Sequence, residues 1–259
     1  MASKAAKPLK QNLPAPDVKA FRLALDTALK AKAHPTDKKP ISSTTWGVYC
    51  FYDFEGEPIY VGQTKESLRT RIRRHLTNQR TDAVGMRVLD PYEIQDLELW
   101  PIFDLEGTKA GDPDAKLYLD RLERTVYERA LAASKFGVIL NEKIPPDVLK
   151  LPDNELPKSY RFPLVSDELL DVRLHADNRI ARRGETLGRL TNVVRERGEV
   201  SNGLRRVVVV QAARLAWLGA QRLAEAEGRT EPPLSKTIRL SDLVGGASKP
   251  DEDLDADAD

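Results

Sequence analysis

The sequence predicts an α+β fold: a small three-stranded sheet flanked by helices in the order β-β-α-β-α, followed by a helical C-terminal region. Three observations carry this reading. Two runs rich in β-branched and aromatic residues, TWGVYCFYD and PIYVGQ, flank FEGEP, a turn in which Gly56 supplies the permissive backbone. Helical periodicity then takes over in KESLRTRIRRHLT, where Leu68, Ile72 and Leu76 recur at i, i+4 and i+8. Finally, residues 167–227 are long, charged and rich in Ala and Leu, set off by five prolines within 144–166.

Taken in order, residues 1–15 read as a flexible arm of Lys, Ala and Pro. Asp17 to Lys32 reads as a helix with a rough apolar stripe of Phe21, Leu23, Leu25 and Leu29. HPTDKKPISS links it to the strand pair and its helix. A polar stretch around Gly85 leads to a third strand, DLELWPIF (96–103), where Pro101 marks an edge or a strand end because proline cannot donate to a ladder. Residues 114–134 form a strong helix striped by Leu119, Leu122, Val126, Ala130 and Ala133. In the C-terminal region, VVVVQAARLAWLGAQRL is apolar on most sides and implies burial against a partner helix or a subunit. Trp217 within it reads as core or dimer interface.

The formal net charge of +1 hides an uneven distribution. DEDLDADAD concentrates acid in a tail expected to be disordered, while RTRIRRHL, RIARRGETLGR and RERGEVSNGLRR are basic. Such segments suit either nucleic acid or solvated helix faces. Cys50 is the lone cysteine, so an internal disulfide and a cysteine-rich zinc site are excluded. No apolar run approaches the roughly 20 residues of a membrane span. With no secretory leader visible, the expected location is the cytoplasm, in a bacterium or phage, with no membrane partner.

GVY at 47–49, YVG at 60–62, an arginine-bearing helix, a glutamate-bearing helix and then an asparagine together resemble the GIY-YIG nuclease family over residues 45–143. The resemblance implies a metal-dependent DNA endonuclease that uses Mg²⁺ or Mn²⁺. It aligns Tyr49 and Tyr60 with the motif tyrosines and Arg71 with the helix arginine, if the preceding turn holds one extra residue. Without that residue, Arg69 or Thr70 is nearest. His75 follows a turn later, the metal-binding glutamate falls at Glu123 or Glu128, and Asn141 closes the set. The division expected from this is an arm and helix over 1–44, a nuclease-like domain over 45–143, a Pro-rich linker over 144–166, a helical domain over 167–230 and an acidic tail over 231–259.

Helix geometry supports particular choices. Arg71 and His75 are i, i+4 neighbours on one face, close to the buried stripe. At about 100° per residue, Glu123 sits roughly 60° from the centre of its helix's stripe and Glu128 on the far side, which favours Glu123 as the metal ligand with Glu128 as fallback. Lys65, Arg69, Arg73 and Arg74 read as loose phosphate contacts or solvated charges. Tyr52 and Tyr92 read as packing, and His34 and His175 as surface residues. The resemblance gives one tyrosine the task of activating water, with His75 assisting; which tyrosine is open. Asn141 either holds a strand or orients a tyrosine.

Arg179, Arg182, Arg183, Arg189, Arg195, Arg197, Arg205 and Arg206 could track phosphates, which would make residues 167–230 a DNA-reading unit. A homodimer through the same region is the alternative. The expected partner is DNA, single strands included. A non-cleaving nucleic-acid-binding or assembly protein on the same scaffold is the competing function.

Overall fold

A computed structural model describes residues 14–77, 88–230 and 240–245. The expectations for the N-terminal arm up to residue 13, for the stretch around Gly85 and for the acidic tail lie outside the described residues.

Helix α1 (Pro16–Lys30) opens on a proline, which suits a first turn because its missing N–H would have had no helical partner. It buries Phe21, Leu25, Ala28 and Leu29. Leu23, counted in the expected stripe, is 68% exposed, because two residues from Phe21 it lies about 200° round the helix.

Strands β1 (Gly47–Tyr52) and β2 (Pro58–Thr64) form the hairpin, antiparallel from Gly47↔Thr64 to Tyr52↔Pro58. Gly56 takes φ +71° in the turn. The Asp53 carboxylate accepts the N–H groups of Glu55 (2.9 Å) and Glu57 (3.1 Å) there. Helix α2 (Leu68–Thr77) buries Leu68, Ile72 and Leu76. Strand β3 (Asp96–Pro101) pairs with the other side of β1. Helix α3 (Pro113–Ala133) is N-capped by Asp112, which accepts the Ala115 N–H at 2.9 Å. Its stripe runs through Leu119, Leu122, Val126 and Ala130, while Ala133 in the last turn is exposed.

The sheet has a fourth strand that the sequence does not announce. Strand β4 (Tyr160–Pro163) comes from the Pro-rich stretch and pairs antiparallel with β3, giving the order β2-β1-β3-β4. Four residues between prolines carry too little pattern to read as a strand. Its anchor is a side-chain pairing: Arg161 bonds Asp96 at 2.8 Å and lies 3.8 Å from the centre of the Tyr52 ring. Pro101 therefore marks a strand end rather than an edge.

Helices α4 (Asp167–Leu174), α5 (Ala176–Arg197) and α6 (Asn202–Ala226) follow, with a short turn of helix, α7 (Leu240–Leu243), beyond them. Ser201 caps α6 by accepting the Leu204 N–H at 3.1 Å. The sheet is buried on both faces, so β1 shows no alternation between buried and exposed positions. One face carries Tyr49, Phe51, Ile59, Leu97 and Leu99 against α1, α2, α5 and α6. The other carries Val48, Cys50, Val61 and Trp100 against α3. The valine run of α6 lies in the first of these cores, through Val207 and Val210, so its burial is met inside the chain.

Ion pairs reinforce this docking. Asp53, 1% exposed in the hairpin turn, accepts hydrogen bonds from Arg183 (3.2 Å) and Arg214 (2.7 Å) and lies 3.7 Å from Arg179. Glu93 bonds Arg183 at 2.7 Å. Arg182 makes a two-pronged contact with Asp90, both bonds 2.8 Å.

Candidate active site

Strand β2 lies at the outside of the sheet, so alternate backbone groups along it have no strand partner. Other elements supply the partners, and these include two of the candidate site residues. The Ile59 carbonyl accepts the Leu140 N–H at 2.8 Å. Asn141 grips Val61 both ways: its Oδ1 accepts the Val61 N–H at 3.0 Å, and its Nδ2 donates to the Val61 carbonyl at 2.7 Å. The Gln63 backbone N–H lies close enough to the Glu123 carboxylate to favour its charged form. The edge of β2 thus fixes Asn141 and runs beside Glu123.

The face of the hairpin toward α2 carries the phenols. Tyr49 pairs across the strands with Gly62, and Phe51 with Tyr60. Tyr49 Oη and His75 Nε2 are 2.8 Å apart. The Tyr49 and Tyr60 rings are 6.3 Å apart between centroids, and the Tyr60 and His75 rings 5.5 Å. Gly62 is what lets Tyr49 reach across: a Cβ there would lie 2.6 Å from Tyr49 Cζ and closer still to Oη. Gly47 is similarly pressed, with a Cβ falling 2.9 Å from the Trp100 carbonyl oxygen. Gly62→Ala is expected to push Tyr49 away from His75 at an overpacking cost of about 1–3 kcal/mol, read as a lowered urea midpoint. An unchanged midpoint would mean that the Tyr49 ring is not fixed over β2.

Arg71 joins this group from α2. Its buried Nε has no hydrogen-bond partner among the described residues. Its charge is felt by Tyr49, Tyr60, His75 and Glu123 alike. The site is dry enough to shift each of these groups. Burial, with Tyr60 adding to it, pushes the Tyr49 phenol well above its usual value, and Arg71 offsets only part. Tyr60 is pushed up to about 12, again by burial. Burial and then Arg71 and Arg74 hold His75 down at about 4, so the imidazole is neutral at pH 7. Glu123, 8% exposed, rises to about 8 through burial and then Asp120, opposed by Arg71 and the Gln63 N–H.

The His75 shift has a measurable consequence. Its folded value lies below the unfolded one, so the unfolded chain takes up the proton first. Stability is therefore full above about pH 6.5 and falls as pH drops toward 4, by on the order of 2–3 kcal/mol. Urea titrations at pH 7 and pH 4.5 should show that loss in the wild type and a smaller one in His75→Gln. Equal losses would contradict the buried, neutral imidazole.

The other candidates lie elsewhere or are engaged. Glu128 bonds Arg124 and Lys150, both at 2.7 Å, away from the tyrosines. Arg69 donates to the Leu29 carbonyl at 2.8 Å and to Ser42, which ties α2 to the end of α1. Arg73 pairs with Asp26 and Arg74 with Glu66. Exposed pairs of this kind are worth under about 1 kcal/mol, so an incoming phosphate can displace either carboxylate. Lys65 is exposed in the loop from β2 to α2. In the helical region Arg179, Arg182 and Arg183 pair with acids from the hairpin and the segment before β3, and Arg206 donates to the Glu142 carbonyl at 2.9 Å. Arg189 pairs with Glu185. Arg195, Arg197 and Arg205 are exposed around the α5–α6 turn. Two further residues, Gln63 and Asp120, sit beside Glu123 without any motif to signal them. Gln63 Nε2 donates to Asp120 Oδ1 at 2.9 Å.

Residues 45–98 match the family model of the GIY-YIG catalytic domain. No curated protein and no solved structure matches the chain. The matched segment holds the hairpin, α2 and the first half of β3; Glu123 and Asn141 lie beyond it. The family is generally one of nucleases, and its domain implies a nucleic-acid substrate. Among the described residues, no helix is long and apolar enough to cross a membrane.

Proposed function

We propose that this protein is a metal-dependent DNA endonuclease that hydrolyses phosphodiester bonds at the outer edge of strand β2. One observation carries the reading. Arg71 and His75 from α2 and Glu123 from α3 converge on the Tyr49–Tyr60 pair, with the strand between them fixed by Asn141.

The residues suit a divalent cation. Glu123 is a nearly buried hard-oxygen donor with no ion pair among the described residues. No group of three or more acidic, His or Cys side chains is clustered to hold a metal, again among the described residues. That pattern fits Mg²⁺ or Mn²⁺, which keep several waters and bind through one or two carboxylates plus substrate phosphate. When bound, the ion supplies positive charge to the phosphoryl oxygens and acidifies water.

The chain's own groups account for the rest. Arg71, its Nε unpaired, donates to a non-bridging phosphate oxygen and stabilises the charge that grows there. Tyr49 is fully buried with its Oη 2.8 Å from the Nε2 of neutral His75, and Tyr60, only partly buried, is the phenol nearer to water. As water attacks phosphorus, its proton passes through the Tyr49–Tyr60 phenol pair to neutral His75 Nε2. Neither phenol needs to ionise beforehand, which their raised values would oppose. Tyr49 sits at the imidazole, and Tyr60, the less buried of the two, packs against the same ring.

The strand is held by Lys65 and by the α5–α6 turn. Ser201 at that turn bonds Glu142 at 2.9 Å, one residue from Asn141, which places Arg195, Arg197 and Arg205 on an element tied to the site. Glu196 and Glu199 interleave with them, as suits a path that grips phosphates without a uniform positive field.

The test is incubation of the full chain with plasmid, linear duplex and single-stranded DNA in Mg²⁺ or Mn²⁺. Nicked or cut DNA, abolished by chelation, is expected. DNA that is bound and stays intact in every metal would instead support the non-cleaving scaffold.

A further inference from the structure

Glu123 does not stand alone. Asp120 is one helical turn before it, so both carboxylates project from the same side of α3. Neither makes an ion pair among the described residues, whereas Glu128, a turn further along, has two. Like charges at this spacing repel and cost stability in a bare helix. Burying one of them, Glu123 at 8% exposed, raises that cost.

Gln63 lies beside both acids. Its side-chain Nε2 donates to Asp120 Oδ1 at 2.9 Å, and its backbone N–H is near enough to Glu123 to favour that carboxylate's charge. Its other amide atom, Oε1, is buried with no hydrogen-bond partner among the described residues. An unpaired amide oxygen on the strand residue that holds Asp120, with Glu123 beside them, makes an oxygen-rich corner with too few donors. A hydrated cation supplies what is missing: positive charge, and water O–H groups to donate.

We propose that Asp120, held in place by Gln63, is a positioning residue for the cation at Glu123, accepting hydrogen bonds from water that the ion carries. The proposal rests on the reading of Glu123 as the metal ligand. Mg²⁺ and Mn²⁺ keep several waters, and acceptors for those waters fix the ion nearly as firmly as direct ligands do.

The experiment is a Mn²⁺ titration of the full chain without DNA, with free Mn²⁺ read by electron paramagnetic resonance. Wild type, Asp120→Asn, Asp120→Glu, Gln63→Met and Glu123→Gln are compared, each first checked for a native unfolding transition. Asp120→Asn is expected to weaken Mn²⁺ binding by about 10- to 100-fold, the usual cost of losing such a partner. Asp120→Glu should recover part of that loss, and Gln63→Met should weaken binding in the same direction by less. The half-saturating Mg²⁺ concentration for cleavage should rise in step. Wild-type Mn²⁺ affinity in Asp120→Asn, with binding lost in Glu123→Gln, would overturn the role of Asp120 alone. Unchanged affinity in Glu123→Gln as well would overturn the metal assignment on which it rests.

Discussion

Replacing Glu123 by alanine is expected to lower the cleavage rate by about a thousandfold or more while DNA binding persists. The reason lies in what Glu123 does in the fold. Among the described residues it makes no ion pair, and burial and Asp120 lift it to about 8, so its charge is a liability unless a cation sits against it. Truncation removes the cation's anchor, and without metal a carboxyl lifted to about 8 is mostly protonated at pH 7, so little charge is lost. Binding to an end-labelled duplex in the absence of metal should therefore be unchanged. Glu128→Ala is the control, since that carboxylate is occupied by Arg124 and Lys150, and it should cut like the wild type. The reverse pattern, with Glu128 essential and Glu123 dispensable, would sink the assignment.

Asp53→Ala is expected to be the most damaging change to the fold, at about 3–5 kcal/mol in a urea titration. Asp53 is the common partner of Arg183 and Arg214 and lies beside Arg179, and all four side chains are 5% exposed or less. Burial works against its charge, yet Arg214, Arg183 and the Glu55 N–H hold it below the usual carboxylate range. Without it, three arginines remain buried around a missing anion, with Glu93 left to face two of them. Because Asp53 sits in the hairpin turn and the arginines on α5 and α6, the loss would loosen the helical region from the sheet that carries the tyrosines. A midpoint shift worth under about 1 kcal/mol would mean that water already shares this cluster.

Both results depend on features that the sequence discloses unequally. The hairpin, α2 and α3 could be read from local pattern, because β-branched runs, a glycine turn and i, i+4 leucines act over a few residues. Tyr49, Tyr60, Arg71, His75, Glu123 and Asn141 followed from motif order and helix angle. Strand β4 was not legible: its four residues pair with β3 across some sixty residues of chain, and prolines frame it. Arg179, Arg182 and Arg183 of α5 misled for a related reason. A basic run looks the same whether it meets phosphate or an acid distant in sequence, and Asp53, Asp90 and Glu93 precede their partners by about ninety residues or more. Gly62 had a motif but no visible cause until the Tyr49 ring was seen to lie against it. Gln63 and Asp120 had no signal at all, since their pairing exists only where β2 and α3 meet.

The most direct test of phosphodiester hydrolysis at this edge is a single-turnover reaction. End-labelled DNA is bound to the metal-free full chain, and Mg²⁺ is then added to the wild type and to Arg71→Ala. The account predicts cleavage by the wild type and a rate slower by about 10²–10³ in Arg71→Ala at saturating protein, because Arg71 acts on charge that develops only as water attacks. Equal rates in the two proteins would place the chemistry somewhere other than the edge of β2.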